Sequence, residues 1–275
     1  MLDVLRSVAC GELTPEEAAA VLRAEGVLRL GDVAALDIER RLRTGIPEVV
    51  LAEHKRSGDV AEIVGALLER TGAACVSRMR QRHVRAVERV AAESGARLIA
   101  YRRRSCRVVA GAHTPPARGG LVGLISAGTS DSEALAEAHM VCEAVGCETA
   151  RISDVGVAGL HRLLRPLSLL LRRDVDAIVV AAGMDGALPS VVAGLSPVPV
   201  IGLPVSTGYG RGGRGEAALL SMLQGCVPSL CTVNIDNGVG AGAVAALIAR
   251  RRFEAGTSSD AAATGARVEE TSARR

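Results

Sequence analysis

From Leu121 onward the chain repeats one device: a short apolar run, a turn of small residues, then a helical pattern. Strands are expected at 121–126, 147–152, 175–182, 199–204 and 230–235, most of them apolar runs, and helices at 131–145, 160–173, 187–195, 216–225 and 240–252. Continuous apolar runs of this length read as strands buried on both faces, and strands separated by helices pair in parallel. The pattern predicts an α/β fold built on a doubly wound parallel sheet. Core filling is restricted in kind: 48% of residues are hydrophobic, yet there are one Phe, two Tyr and no Trp, so Leu, Val, Ile and Ala must fill it. The 31 Gly suit tight turns between strand and helix.

The turn with most chemical content is the first, Gly120 to Ser132, GLVGLISAGTSDS. Backbone N–H groups at a strand-to-helix turn, with the positive end of the helix dipole, form an anion site. Ser130 and Asp131 are also good N-cap residues, so a well-capped turn without a ligand accounts for the same letters. In a doubly wound sheet ligands bind beyond the carboxyl ends of the strands. The segments there are Ser126–Asp131, Ser153–Gly156, Ala182–Asp185, Pro204–Arg214 and Asn234–Gly240, each polar or rich in Gly, and together they point to a nucleotide or phosphate pocket. A GxxxxGK[ST] loop and a GxGxxG opening the first helix are both absent, which argues against kinase-like and standard dinucleotide folds. Asp185 is a general base or a helix cap. Cys226 is a nucleophile, with Arg211 or Arg214 favouring its thiolate, or a small buried residue. Asp236 binds a ribose or metal, or closes a plain turn.

The first 112 residues read as a separate unit. A short amphipathic helix over 2–10 precedes Thr14-Pro15-Glu16-Glu17, a helix start with Thr at the N-cap and Glu three residues on. The charged segment 36–50 leads into an edge strand. Arg40 and Arg43 there lie on one helical face, either solvated or reaching an anionic ligand. Helices over 58–71 and 79–95 and strands at 74–76, 98–101 and 106–109 complete a small α/β unit. GAHTPPARGG, 111–120, has the composition of a linker. The expected domains are thus 1–112 and 121–253, with a disordered tail over 254–275.

A net charge of +3 without a long basic block, and almost no aromatic side chains for base stacking, argue against nucleic-acid binding. No run of 18 apolar residues or secretory leader occurs, and seven Cys without a CxxC pair fit neither a disulfide framework nor a zinc site. The expectation is a cytoplasmic protein with reduced thiols, off the membrane and without a metal site.

Residues 121–250 resemble the domain of the purine-biosynthetic aminoimidazole ribonucleotide carboxylases and mutases, the PurE type, with GTSD matching their phosphate-binding turn. The resemblance to the LarB family, which makes the nickel-pincer nucleotide cofactor, is closer and runs over about residues 3–252. It rests on DxxRxxRTGxPEV, SAGTSD, DVGVAGLHRLL, AAGMDGALPSVVAGL, PVIGLPVSTGYG, AALLSMLQGCVPS and NIDNGVGAG. The purine enzymes carry a proton-shuttling His just before Leu-Pro, where this chain has Ala187.

The LarB resemblance implies a PurE-like, flavodoxin-type sheet. It implies carboxylation of nicotinic acid adenine dinucleotide at C5 of the pyridinium ring by CO2, with hydrolysis of the phosphoanhydride. The products are pyridinium-3,5-biscarboxylic acid mononucleotide and AMP. It implies Cys226 as the nucleophile adding at C4 and Asp185 as the base. Ser126, Gly128, Thr129, Ser130 and Asp131 would hold phosphate or ribose. Asp154 would join them, supported by His161 and Arg162. Gly183, Met184, Pro204, Gly208, Tyr209, Asn234 and Asp236 would line the substrate, and Arg40 and Arg43 would face the adenylate side. No cofactor is expected to bind tightly, CO2 is the co-substrate, and Mg2+ can accompany the substrate phosphates. A homo-oligomer, as large as an octamer, is expected. Two departures stand out: the family has Glu where this chain has Asp185, and its loop is less basic than the one holding Arg211 and Arg214. The competing readings are a PurE-like carboxylase or mutase, and a non-catalytic nucleotide sensor.

Overall fold

A computed structural model of the chain describes residues 2–24, 26–111, 113 and 119–272. The chain separates into two compact units, Met1–Thr114 and Pro115–Arg275. Most of the expected linker, residues 112 and 114–118, lies outside the described residues.

The N-terminal unit begins with α1 (Leu2–Ala9) and α2 (Pro15–Ala24). Thr14 and Glu17 cap α2 reciprocally: the Glu17 amide donates to Thr14 Oγ1 at 3.2 Å, and the Thr14 amide donates to Glu17 Oε2 at 2.8 Å. An antiparallel hairpin follows, β1 (Val27–Leu30) and β2 (Ala34–Asp37), in a stretch for which no strand was expected. Its turn starts at Gly31, whose φ of +48° is a left-handed conformation that favours glycine. Next come α3 (Arg40–Thr44), β3 (Val49–Leu51), α4 (Ser57–Thr71), β4 (Ala73–Ser77), α5 (Gln81–Glu93), β5 (Arg97–Ala100) and β6 (Cys106–Val109). The four-stranded sheet has the order β3-β4-β6-β5, so β3 is an edge strand. It is parallel to β4, while β4, β6 and β5 pair antiparallel. Val60, Ile63, Val64, Leu67 and Leu68 of α4 recur at helical spacing and are buried in this unit's core.

The second unit has β7 (Leu121–Ser126), α6 (Ser132–Val145), β8 (Glu148–Ile152), a 3₁₀ turn at Val157–Gly159, α7 (His161–Arg172), β9 (Ala177–Ala182), α8 (Leu188–Leu195), β10 (Val200–Pro204), α9 (Glu216–Leu223), β11 (Leu230–Thr232) and α10 (Gly238–Ser272). The five strands are all parallel, in the order β11-β10-β9-β7-β8. The chain leaves β7 toward β8, then returns to the other side for β9, β10 and β11. Successive connections therefore diverge between β7 and β9, which opens a crevice at their carboxyl ends. Helices α7, α8 and α9 bury Leu163, Leu167, Val192, Ala218 and Met222 against one face of the sheet. Helices α6 and α10 pack together and cover the other.

Two ends differ from expectation. β11 stops at Thr232 rather than 235, and residues 254 onward, expected to be a disordered tail, continue α10 to Ser272. The added stretch contains Ala255, Ala261, Ala262, Ala263 and Ala266 and no Pro, and alanine has the highest helix propensity. Among the described residues no helix is long and apolar enough to cross a membrane.

Helices α6 and α10 approach almost backbone to backbone. A Cβ built on Gly238 would lie 2.0 Å from the Ala134 carbonyl oxygen, and one on Gly242 would lie 2.6 Å from that of Ala138. Gly238→Ala is expected to destabilise the protein by about 1–3 kcal/mol, because the helices must separate. Urea unfolding should show a lower midpoint with an unchanged slope.

Candidate active site at the carboxyl ends of the sheet

The carboxyl ends of β7, β8, β9 and β10 surround a cavity of about 530 Å³. Its wall includes Gly128, Ser130 and Asp131 after β7, Gly156–Ala158 after β8, Gly183–Asp185 after β9, and Thr207–Tyr209 after β10. Eight of the residues singled out from the sequence are therefore brought together: Gly128, Ser130, Asp131, Gly183, Met184, Asp185, Gly208 and Tyr209.

Asp131 organises this rim. It sits at the N-cap position of α6, yet its side chain caps no helical N–H. Instead Oδ2 accepts the Gly128 amide at 2.8 Å and Oδ1 accepts the Thr207 hydroxyl at 2.8 Å. The carboxylate, only 5% exposed, thus ties the turn after β7 to the loop after β10. One amide of the expected anion turn is consequently already engaged. Among the described residues, the Thr129 and Ser130 amides donate to no protein group. Ser126, at the end of β7, is fully buried, and its hydroxyl oxygen has no partner. The next loop follows from close approach: a Cβ on Gly183 would lie 2.2 Å from the Thr207 carbonyl oxygen. Thr207, inside a loop expected at the rim, was not itself singled out. Its role depends on a partner 76 residues away, which local sequence does not reveal.

The rim is also conformationally strained. Among the described residues six non-glycine residues have left-handed backbone, and four lie in the segments after the strands of this sheet: Asp154, Met184, Arg214 and Asp236. Such residues concentrate where a binding site fixes the backbone, and for Met184 no short polar side chain eases the cost.

The remaining expected residues lie outside the cavity wall. Thr129 is exposed and Pro204 is buried within β10. Asp154 pairs with Arg162 at 3.0 Å. Asn234 Oδ1 accepts the Ile235 amide, and Asp236 Oδ1 accepts the Ser206 amide at 2.9 Å, so both shape turns. Cys226 is a free, exposed thiol on the connection between α9 and β11. In the N-terminal unit Arg40 pairs with Glu48 at 3.2 Å and Arg43 pairs with Asp37, so each guanidinium already has a carboxylate. Among the described residues no group of three His, Cys, Asp or Glu could hold a metal ion.

The charge inside the cavity is one-sided. Asp131 and Asp185 are carboxylates, and among the described residues no His, Lys or Arg lines the wall. Ala187 is part of it.

Residues 121–261 match the AIR carboxylase family, and residues 28–109 match the LarB/PurE-like N-terminal domain. The chain belongs to the AIR carboxylase family. The five-stranded parallel sheet is accordingly of the PurE-like, flavodoxin type, joined to an N-terminal α/β domain. Family membership supports a carboxylase/mutase-related function. An uncharacterized protein of Methanocaldococcus jannaschii is 34% identical over 254 residues, covering 90% of this chain and 96% of its own length. The N5-carboxyaminoimidazole ribonucleotide mutase of Synechocystis sp. is 35% identical over 134 residues, 46% of this chain and 72% of its own. The phosphoribosylaminoimidazole carboxylase of Saccharomyces cerevisiae is 32% identical over 129 residues, 46% of this chain and 22% of its own.

Two outcomes follow from the geometry. Thr207→Val removes a donor from a buried carboxylate and is expected to cost about 1–3 kcal/mol in denaturant unfolding. Thiol alkylation of the native protein should divide the cysteines. Burial pushes the thiols of Cys75 and Cys147 up to about 11 and that of Cys106 up to about 12, and raises Cys142 as well. Those four should resist iodoacetamide at pH 8, while the exposed Cys10 and Cys226 are labelled, as peptide mass spectrometry would read.

Proposed function

We propose that the cavity binds the pyridinium ring of nicotinic acid adenine dinucleotide and that the protein carboxylates it at C5 with CO2. The phosphoanhydride is hydrolysed, giving pyridinium-3,5-biscarboxylic acid mononucleotide and AMP. The supporting observation is the one-sided charge of the wall: two carboxylates and, among the described residues, neither a cationic side chain nor a His. Such a wall favours a cationic heterocycle. It also lacks the imidazole through which the purine enzymes shuttle a proton.

In this reading the Cys226 thiolate adds to C4 of the ring, and the ring electrons collapse onto nitrogen to give a neutral, enamine-like dihydropyridine. C5 then attacks CO2, forming the new carbon–carbon bond and returning positive charge to the ring. The Asp185 carboxylate, exposed at the wall, removes the C5 proton. The C4–S bond breaks, the thiolate departs and the aromatic ring is restored. Separately, water attacks phosphorus and AMP leaves. The Thr129 and Ser130 amides, at the amino end of α6, take a substrate phosphate that no side-chain cation of the wall would hold.

Because Cys226 is exposed and outside the wall of its own chain, its thiol acts in a neighbouring copy of the expected homo-oligomer. Leu220 and Leu223 of α9, 60% and 63% exposed, lie just before it in sequence and suit such an interface.

The test is mass spectrometry of the protein incubated with nicotinic acid adenine dinucleotide, Mg2+ and ¹³C-bicarbonate. A labelled biscarboxylated mononucleotide appearing with AMP is the expected result. Cys226→Ala should abolish it, and Asp185→Asn should slow it about 10²–10⁴-fold. Equimolar co-assembly of Cys226→Ala and Asp185→Ala chains should restore about a quarter of wild-type activity if the thiol acts between copies. Substrate bound without label or AMP would sink the reading and leave a nucleotide sensor. Turnover of aminoimidazole ribonucleotide instead would restore the purine reaction.

A further inference from the structure

Among the described residues the cavity wall holds one aromatic side chain, Tyr209. Aromatic rings are scarce in this protein, which has two Tyr, one Phe and no Trp. Tyr101 is buried in the N-terminal unit, and Phe253 of α10 packs beside Gly119, where a Cβ would lie 2.4 Å from its ring. Tyr209 instead is 81% exposed, so its ring fills no part of the core. Among the described residues its hydroxyl bonds no protein group.

The backbone on either side of this ring is held in place. Two residues earlier, the Thr207 hydroxyl donates to the Asp131 carboxylate at 2.8 Å, and the Thr207 carbonyl accepts the Met184 amide at 3.3 Å. A Cβ on Gly208 would lie 3.5 Å from Met184 Sδ, so the turns after β9 and β10 are in contact. Just past the ring, Gly210 is left-handed with φ +74°, and its carbonyl accepts the Gly213 amide at 3.2 Å. The loop therefore turns back directly after Tyr209 and leaves the side chain at the cavity, in the same wall as Met184 and Asp185. The fold thus presents an aromatic face that its own packing does not use. The face of a phenol ring is the negative part of its quadrupole, and the charged side chains of the wall are the carboxylates of Asp131 and Asp185. These three groups favour one partner, a flat ring that carries positive charge.

We propose that Tyr209 is the specificity-determining residue of this cavity: its ring stacks on one face of the pyridinium and distinguishes it from a neutral ring of similar shape. The proposal rests on the reading of the cavity as a pyridinium site. The carboxylates alone attract any cation, because Coulomb attraction is blind to shape. A ring face adds the requirement for a planar partner. Stacking covers one face of the pyridinium and leaves the other open to the thiolate. The attraction belongs to the cationic ring and is lost in the neutral adduct, so Tyr209 contributes to substrate binding rather than to lowering the barrier. The phenol hydroxyl takes no part, and phenylalanine should serve in its place.

The experiment is calorimetric titration of the full chain, without bicarbonate, with nicotinic acid adenine dinucleotide and with its 1,4-dihydro form, whose ring is neutral. The wild type should bind the pyridinium form more tightly. Tyr209→Leu keeps an apolar side chain and removes the ring, so the ratio of the two affinities should fall about threefold or more, while Tyr209→Phe should keep it. Both variants should unfold at the wild-type Tm, since the side chain is mostly exposed. Tyr209→Trp gives the chain its only indole. Binding of the pyridinium form should then produce a long-wavelength charge-transfer absorption, which requires contact between the two ring faces. A Tyr209→Leu chain with the wild-type ratio overturns the proposal, and that includes equal weakening of both forms, which would set Tyr209 against another part of the dinucleotide. A Tyr209→Trp chain that binds without the absorption overturns it too. A wild type that binds neither form sinks the pyridinium reading of the cavity and this proposal with it. A wild type that binds and discriminates through Tyr209 but fixes no CO2 sinks the carboxylation alone and leaves the stacking role standing.

Discussion

The second unit depends on the parallel pairing of β9 between β7 and β10. All six residues of β9 are buried. A strand with no solvent face needs a hydrogen-bonding neighbour along each edge and an apolar layer above and below. Those needs account for the helices on both sides of the sheet and for the crossover between each pair of consecutive strands. They also place the divergence of connections beside β9, at its edge with β7. The crevice is a consequence of the core: the turns that line it fall where strands must end and helices begin.

Within that crevice the decisive link is long in sequence. The Asp131 carboxylate joins the turn after β7 to Thr207 after β10, and the Thr207 carbonyl lies where any side chain at Gly183 would have to go. Three turns from three separated segments are thereby fixed against one another. The arrangement is preorganised without a ligand, which is what a site needs if its amides are to meet an anion without first being ordered.

The sequence was most readable where structure is local. Apolar runs located β7, β9 and β10, the alternation with helices located β8 and β11, Thr14 and Glu17 marked a helix start, and Gly72 and Gly146 marked helix ends with left-handed backbone. It was least readable where partners are distant or competing. Arg40 and Arg43 looked available for an anion because nothing in the local pattern shows that Glu48 and Asp37 fold back onto them. Asp131 looked like a helix cap, and its position is that of one, but Gly128 and Thr207 take its oxygens. The left-handed backbone at Met184 follows from tertiary constraint, since methionine would not choose it. The hairpin β1–β2 is short and half exposed, so its apolar alternation is weak.

The electrostatics of the two units are complementary in sign. Among the described residues the carboxyl-end cavity gathers Asp131 and Asp185 with no cationic side chain, whereas the polar face of the N-terminal sheet sets Arg107 beside Cys75. Among the described residues neither Asp131 nor Arg107 has an oppositely charged side chain as a hydrogen-bond partner. Burial makes an unpaired charge costlier than it would be in water, so it persists only where the fold over-determines it. For Asp131 the over-determination is visible as two hydrogen bonds. For Arg107 it is the sheet register, which sets the guanidinium against Cys75 rather than against an acid. The same logic distinguishes the chemistry each place can accept. A wall of carboxylates favours a ring that carries positive charge, and a buried guanidinium favours an electron-rich acceptor such as the Cys75 sulfur.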